Sequence, residues 1–564
     1  MKKRILHILA FVAAVTLVYF LSEKFFFRID LTSERRYSLS DNTEKLLESL
    51  DDDLKVTIYL DGDLNSGFLR LRKATKELLD EFDAYAGKSV QYQFVNPSAA
   101  TTNEEREKKY EELEKEGMRA IMVYDKDGEG EARQKVVFPW MKISYKGKTR
   151  VVNLLKNIPH KSGEENLNIS IESLEYEVTD ALRIITSTSV PHVAFLEGHG
   201  EWPEILVYDI TQTLSHYYQV DRGSLTGRVG ELNDFEALII AGPTRGFSEM
   251  EKFEIDQYIM GGGRVLWLLD GTRISLDSLS TASQTIGIEN DINLSDQLFR
   301  YGVRINADLV QDVQCSLIPV NVARAGDTPD YQPMPWYYSP LLLTVPSHPV
   351  TKNLAPVKSE FVSSIHFVND NEKVKKTPLL VTSTGTHLQA IPSVVSMDIV
   401  NVEQNGYYFN MHNVMTAASL EGVFPSVFVN RMVPDGIQMM GERRSESKPT
   451  KMIVVADGDV IRNDVQGKGE HTNVLPLGYD RYMNQKFGNG EFLLNAVNYL
   501  TDDDGWLDLR SREIQLRLLN KPAVIGQRKF WRVVNIVVPL LLLLLFGVVF
   551  NYVRKRKYTK ALGV

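Results

Sequence analysis

Four short loops carry the ionisable residues best spaced for chemistry: Gly198-His199-Gly200-Glu201, Gly242-Pro243-Thr244-Arg245-Gly246, Asp270-Gly271 and Asp457-Gly458-Asp459. Each follows a short apolar run, and each holds glycine, which lets a backbone come close to a ligand. In an open parallel sheet the crevice at the carboxyl ends of the strands is where ligands bind. With the four runs as strands of one sheet, His199, Glu201, Arg245, Asp270, Asp457 and Asp459 share one edge. His199 beside an Asp or Glu would suit metal binding or acid–base work. Tight turns and helix caps use the same residue types, and that is the weightier reading. The pattern assigns no catalytic residue, no cofactor and no resident metal.

Other chemistries fail on spacing. Gly147-Lys148-Thr149 would end a phosphate-binding P-loop, but the glycine that motif needs falls on Lys142. Asp125–Glu131 opens like a calcium loop whose bidentate twelfth position falls on Val136. Gly261-Gly262-Gly263 follows a helical pattern, so it reads as a C-cap, not as an anion site at a helix N-terminus. There is no G-x-S-x-G elbow. Cys315 is the sole cysteine, which excludes an intramolecular disulfide and a cysteine zinc or iron–sulfur site.

The elements that would position these loops alternate strand and helix. Leu54–Leu60, Phe68–Ala86 and Val90–Val95 read as a strand–helix–strand unit, with strands following near Ala120–Tyr124, Gln134–Ser144 and Thr149–Leu154. Asn166–Ser187 reads as a long connecting helix. His192–Glu197, Ala237–Ala241, Arg264–Leu269 and Lys451–Ala456 are buried strands. Glu201–His216, the helix capped by the Ser248–Glu251 box, and Glu491–Leu500 are helices. Such alternation predicts a doubly wound parallel sheet. From about 272 to 450 the pattern weakens among prolines 333, 335, 340, 346 and 349.

Charge divides the chain. The 564 residues sum to −9. Lys2, Lys3 and Arg4 precede the apolar run Ile5–Leu21, and Arg554, Lys555, Arg556 and Lys557 follow the apolar run Val533–Val553. With Lys560 the two ends hold eight positive charges, leaving −17 for residues 23–532. A body this acidic argues against a nucleic acid or an anionic lipid surface as partner. Basic flanks at both ends predict two spans with both termini cytoplasmic and the body periplasmic. A cleaved signal peptide is the alternative for the first run, though no A-x-A-like site follows it.

Arg28-Ile29-Asp30-Leu31-Thr32 with Arg36-Tyr37-Ser38-Leu39-Ser40, Phe195–Glu201, Val454–Asp459 with Arg462-Asn463, and Asn489–Asn495 with Asn498 together resemble the gliding-motility-associated ABC transporter substrate-binding (auxiliary) proteins. The resemblance implies a non-catalytic subunit working with a separate permease and a separate ATPase in an inner-membrane complex required for gliding. It also implies a central domain similar to class I glutamine amidotransferases and to the N-terminal domain of an intraflagellar-transport protein. The amidotransferase nucleophile would fall on Leu269, which is no nucleophile, so such a fold would serve binding or assembly.

The expected fold is therefore α/β, with two terminal transmembrane helices around a smaller α/β domain and a doubly wound, amidotransferase-like (flavodoxin-like) domain. The expected divisions are a tip and first span at 1–22, an N-terminal domain at 23–189, the auxiliary transporter domain at 190–505, a charged connector at 506–532, a second span at 533–553 and a basic tail at 554–564. Two other functions compete with the transporter subunit: an envelope enzyme, such as a metal-assisted hydrolase using the strand-end crevice, and a purely structural envelope scaffold.

Overall fold

The computed structural model describes residues 38–126, 132–159, 161–187, 189–274, 276–323, 327–368, 371–439, 441–467, 472–511 and 526–559. The expected first span, its anchors Lys2, Lys3 and Arg4, the run up to Tyr37 and most of the Asp125–Glu131 turn lie outside them. Residues through Arg512 form one compact unit, and Glu513–Val564 a second.

The first unit begins with a four-stranded sheet. Leu54–Ile58 and Val90–Phe94 pair in parallel, joined by the helix Ser66–Tyr85 as such a pair requires. Asn65 starts that helix by accepting hydrogen bonds from the Gly67 and Phe68 amides. Alternation puts Leu54, Val56 and Ile58 on the buried face, where they meet Leu71, Leu79 and Phe82 of the helix. Trp140–Tyr145 and Lys148–Asn153 complete the sheet in antiparallel fashion. The single strand expected over Gln134–Ser144 is two, Ala132–Val137 and Trp140–Tyr145. Pro139, with no N–H for a ladder, stands between them.

The helix Gly163–Thr186 opens on a capping box between Ser162 and Glu165. Leu174, Val178 and Leu182 belong to the core of the four-stranded sheet, while Tyr176 belongs to the core of the next one. A half-buried ion pair between Lys156 and Glu177, 2.7 Å, lies at the seam.

The central sheet holds ten strands. Five run in parallel in the spatial order Gln219–Gly223, His192–Leu196, Ala237–Ala241, Arg264–Leu268, Thr450–Val455. By chain order that is 2-1-3-4-5. Alternate side chains of these strands supply two cores. Val193, Phe195, Ile239, Leu266 and Ile453 pack with the helices Tyr208–Leu214 and Asn489–Thr501. Ala194, Leu238, Ile240, Trp267 and Val454 pack with Glu249–Met260 and Ser295–Tyr301. Burial on both faces explains why all of them but the edge strand Gln219–Gly223 read as apolar runs. Phe492, Leu493, Ala496, Val497 and Leu500 are all buried on one side of the closing helix, and each large one contributes about 1.5–3 kcal/mol by leaving water.

Two sequence expectations shift. The helix expected over Glu201–His216 is a 3-10 turn, Glu204–Leu206, and a short α-helix, Tyr208–Leu214. Pro203 bars Trp202 from helical geometry, so the helix cannot start earlier. The weak region 272–450 extends the sheet with antiparallel strands: Met415–Gly422, Val374–Val381, Tyr331–Thr344 and Cys315–Asn321. Prolines 319, 333, 335 and 340 lie on the outer pair of strands, and Pro378 sits at a register shift. Those are the sheet positions that tolerate a missing N–H.

The second unit contains the helix Arg528–Thr559. Its stretch Arg528–Arg556, in which an 18-residue window reaches a mean hydropathy of 2.9, is the candidate membrane span among the described residues. At 1.5 Å per residue it exceeds the roughly 30 Å hydrocarbon core. Leu540 through Leu545 are all exposed, as a lipid-facing surface requires.

Candidate functional site

The six residues expected at the strand ends fall into two groups and one outlier. His199 and Glu201 form the first group. The His199 ring lies flat on Phe247, with centroids 3.7 Å apart. Its Nδ1 faces Glu201 at 3.2 Å and its Nε2 faces Glu251 at 3.2 Å. The other Glu201 oxygen accepts from the His199 amide, 2.7 Å. The His199 carbonyl accepts from the Thr244 and Arg245 amides. Glu251 is also the capping-box residue of its helix. His199 thus ties the first strand's loop to the third strand's loop and to the helix that follows. Burial pushes the imidazole pKa down, but the hydrogen bonds to Glu201 and Glu251 outweigh it, so the net shift is up. With both nitrogens occupied by carboxylates, the ring is a clamp and offers no free lone pair to a metal. Arg245 is the outlier: its side chain is exposed.

Asp270, Asp457 and Asp459 form the second group. One oxygen from each lies within 4.8 Å of the others. The backbone shapes the cluster. Asp270 accepts from the Gly458 amide at 2.7 Å, and Asp457 accepts from the Asp459 amide at 2.7 Å and the Glu360 amide at 2.9 Å. A Cβ on Gly458 would stand 2.7 Å from both the Asp270 carboxylate and the Gly242 Cα, so only glycine lets these loops meet. Trp202 bridges the two groups, its indole donating to the Gly458 carbonyl at 2.8 Å and its amide to Ala241.

Two charged residues that were not among the six expected at the crevice complete the cluster. Arg462 pairs with Asp459 at 2.8 Å, reaches Glu360 at 3.5 Å and lies 5.0 Å from the Trp202 ring centroid. Its signal was its place three residues after Asp459, at the C-cap of the 3-10 turn Asp459–Ile461. Glu360 comes from the long insertion, and nothing local marks it. Four carboxylates around one guanidinium cannot all ionise in a buried site. Burial lifts Asp270 to about 6 and Asp459 to about 7, with Arg462 opposing both. Burial, Asp459 and Asp270 hold Asp457 well above the usual carboxylate range. Burial and Asp459 raise Glu360. The three aspartates are the oxygen set that could hold a hard divalent cation, and Arg462 already supplies positive charge there. The adjoining cavity, against Glu360, Asp459 and Arg462, measures about 40 Å³, room for water but not for an organic substrate.

The fold and these strand ends describe an α/β body with a densely paired crevice, joined in sequence to a hydrophobic helix. Residues 190–496, more than half of the chain, match the family described as an ABC-type uncharacterized transport system, the transporter auxiliary family. The chain belongs to that family. Residues 33–144 match a domain of unknown function (DUF7088). An uncharacterized protein of Borreliella burgdorferi (strain ATCC 35210) is 20% identical over 554 residues, covering 94% of each chain. The N-terminal domain of mmIFT52 aligns with 55% of this chain and 98% of its own, at 13% identity and a TM-score of 0.32, too slight a likeness to define the fold. The family assigns a transporter-associated role, and the apolar helix Arg528–Arg556 suits membrane association.

Proposed function

We propose that this protein is the non-catalytic auxiliary subunit of an inner-membrane ABC-type transporter complex, working with separate permease and ATPase subunits. The observation that carries the reading is membership of the transport-system family together with a helix fit to span a bilayer. In the full reading both ends cross the membrane, both termini are cytoplasmic, and the acidic body is periplasmic. The requirement for gliding motility rests on the run Arg28–Ser40 and the motif set it belongs to. The 2-1-3-4-5 order of the parallel strands is that of flavodoxin-like sheets and supports an amidotransferase-like central domain. In such a domain the nucleophile position is Leu269, which is 1% exposed and donates its amide to Val455. A hydrolase reading would need His199 as a base or ligand, and His199 is spent on Glu201 and Glu251.

The test is a mild-detergent pull-down of the full-length chain with identification of partners. Recovery of a membrane permease and an ATPase is expected, and recovery of neither would overturn the proposal. In a gliding host, deletion of the gene should abolish spreading, and unimpaired gliding would remove that part of it.

A further inference from the structure

The parallel sheet has a second end, and there the molecule is open. A cavity of about 450 Å³ lies where Ala237–Ala241 and Arg264–Leu268 begin. Its floor is Gly261-Gly262-Gly263, the end of helix Glu249–Met260. Packing fixes these glycines: a Cβ on Gly263 would stand 2.5 Å from the Tyr258 ring. The carbonyls at the helix end are already engaged. The Lys448 amide donates to Met260, and the Thr450 hydroxyl donates to Gly262 and Gly263. The cationic side chains of the cavity therefore stand against what remains of the negative helix end.

Arg264 is committed to Glu236, 2.9 Å away, and to Asp503. Arg444 is held through its backbone, whose amide donates to Gln257 and whose carbonyl accepts from it. This pair ties the wall 441–448 to the helix without using the guanidinium. Arg444 and Lys448 are exposed. Among the described residues neither has an ion-pair partner. Of the two lining carboxylates, Glu236 is paired with Arg264, and Glu442 has no ion-pair partner among the described residues and is left to oppose them. A cationic rim in a body of −17 is where an anion would gather, since the rest of the surface repels it.

We propose that this cavity binds a small hydroxyl-bearing organic anion, with its phosphate or carboxylate held by Arg444 and Lys448. The planar guanidinium fork matches either group, and the ammonium adds a second charge. The volume falls within the roughly 300–1,000 Å³ of small-molecule sites and exceeds what the anionic group alone would fill. Asn233 and Glu442 remain for the hydroxyls.

The test is calorimetric titration of the full-length protein in detergent with glucose 6-phosphate, with gluconate, and with glucose as the uncharged control. At least one anion should bind with a Kd of about 1 mM or tighter, and glucose should not. The stronger anion tells phosphate from carboxylate. The double variant R444Q/K448Q should weaken binding by about tenfold or more. E442Q, which removes the opposing charge, should tighten it by about two- to threefold. Both cations are exposed, so the double variant should melt as the parent does. Absence of binding by both anions, glucose binding as tightly as they do, an unchanged affinity in the double variant, or an unchanged or weaker one in E442Q would each overturn the proposal.

Discussion

Arg462 holds its guanidinium 2.8 Å from the Asp459 carboxylate, under the face of Trp202. It is the cation that opposes Asp270, Asp457, Asp459 and Glu360 at once. Arg462→Gln would leave the three aspartates without their counter-charge in a buried site, and Glu360 with Lys358 alone. The expected loss is about 3 kcal/mol, the usual cost of removing one partner from a buried pair. Adding Asp459→Asn should recover part of it, because one of the stranded charges is then gone. Urea denaturation of the full chain and both variants measures this. An Arg462→Gln protein as stable as the parent would show that Arg462 does not neutralise the cluster.

The same cluster fixes a pH dependence. Asp270 and Asp459 have native pKa values of about 6 and about 7, against ordinary values of 3.8. Between pH 4 and 7 the native state therefore binds more protons than the unfolded chain, and stability falls as pH rises. The raised pKa of His199 acts in the same direction, since its clamp is lost as the ring deprotonates. The unfolding midpoint should be higher at pH 5.5 than at pH 7.5, and Asp459→Asn should flatten the slope. A stability that climbs across this range would contradict the assignment of protons to the cluster.

The cluster's parts were unequally visible in the sequence. Asp270, Asp457 and Asp459 follow unbroken apolar strands, so their loops could be aligned at one sheet edge from local pattern alone. The separation of His199 from Asp457 could not. His199 is captured by Glu251, a residue whose cap role was legible but whose second contact depends on how the helix packs. Glu360 arrives from an insertion where prolines break the strand pattern, and only pairing with the rest of the sheet makes those segments strands. The long apolar helix at the C-terminal end was readable because lipid-facing composition needs no partner to reveal it.

His199→Gln should loosen the junction of three loops. Glu201 is almost wholly buried and Glu251 about three-quarters buried, and Gln cannot reach both carboxylates as the two ring nitrogens do. Leaving a buried acceptor unmade costs about 1–3 kcal/mol. The effect should be local as well as global. Hydrogen exchange should quicken at Thr244 and Arg245, whose amides donate to the residue 199 carbonyl. Unchanged protection there would mean that the backbone alone holds the loops.

Gly458→Ala tests the close approach beneath the aspartates. The added methyl would meet the Asp270 carboxylate and the Gly242 backbone, each 2.7 Å from the new carbon. Backbone cannot rotate away as a side chain can, so the loops must part. About 1–3 kcal/mol is the expected cost of such overpacking, and thermal denaturation reads it. Gly490→Ala, where nothing lies within 4 Å, is the control expected to leave the midpoint nearly unchanged.

Membrane attachment gives the clearest separation of what each end does. Deleting residues from Arg528 onward removes the helix whose central leucines are all exposed. With Ile5–Leu21 acting as a second span, the truncated protein should still pellet with membranes after alkaline carbonate extraction. Removing residues 1–22 as well should release the body into the soluble fraction. Replacing Leu542 with Arg in the intact helix should be tolerated poorly, since a charge at mid-bilayer costs about 2.5–3.5 kcal/mol on insertion scales. A reporter fused after Val564 should be active in the cytoplasm, because Arg554, Lys555, Arg556 and Lys557 follow the span directly. Release of the protein by the C-terminal deletion alone would reduce the architecture to one span, and a periplasmic reporter would reverse its orientation.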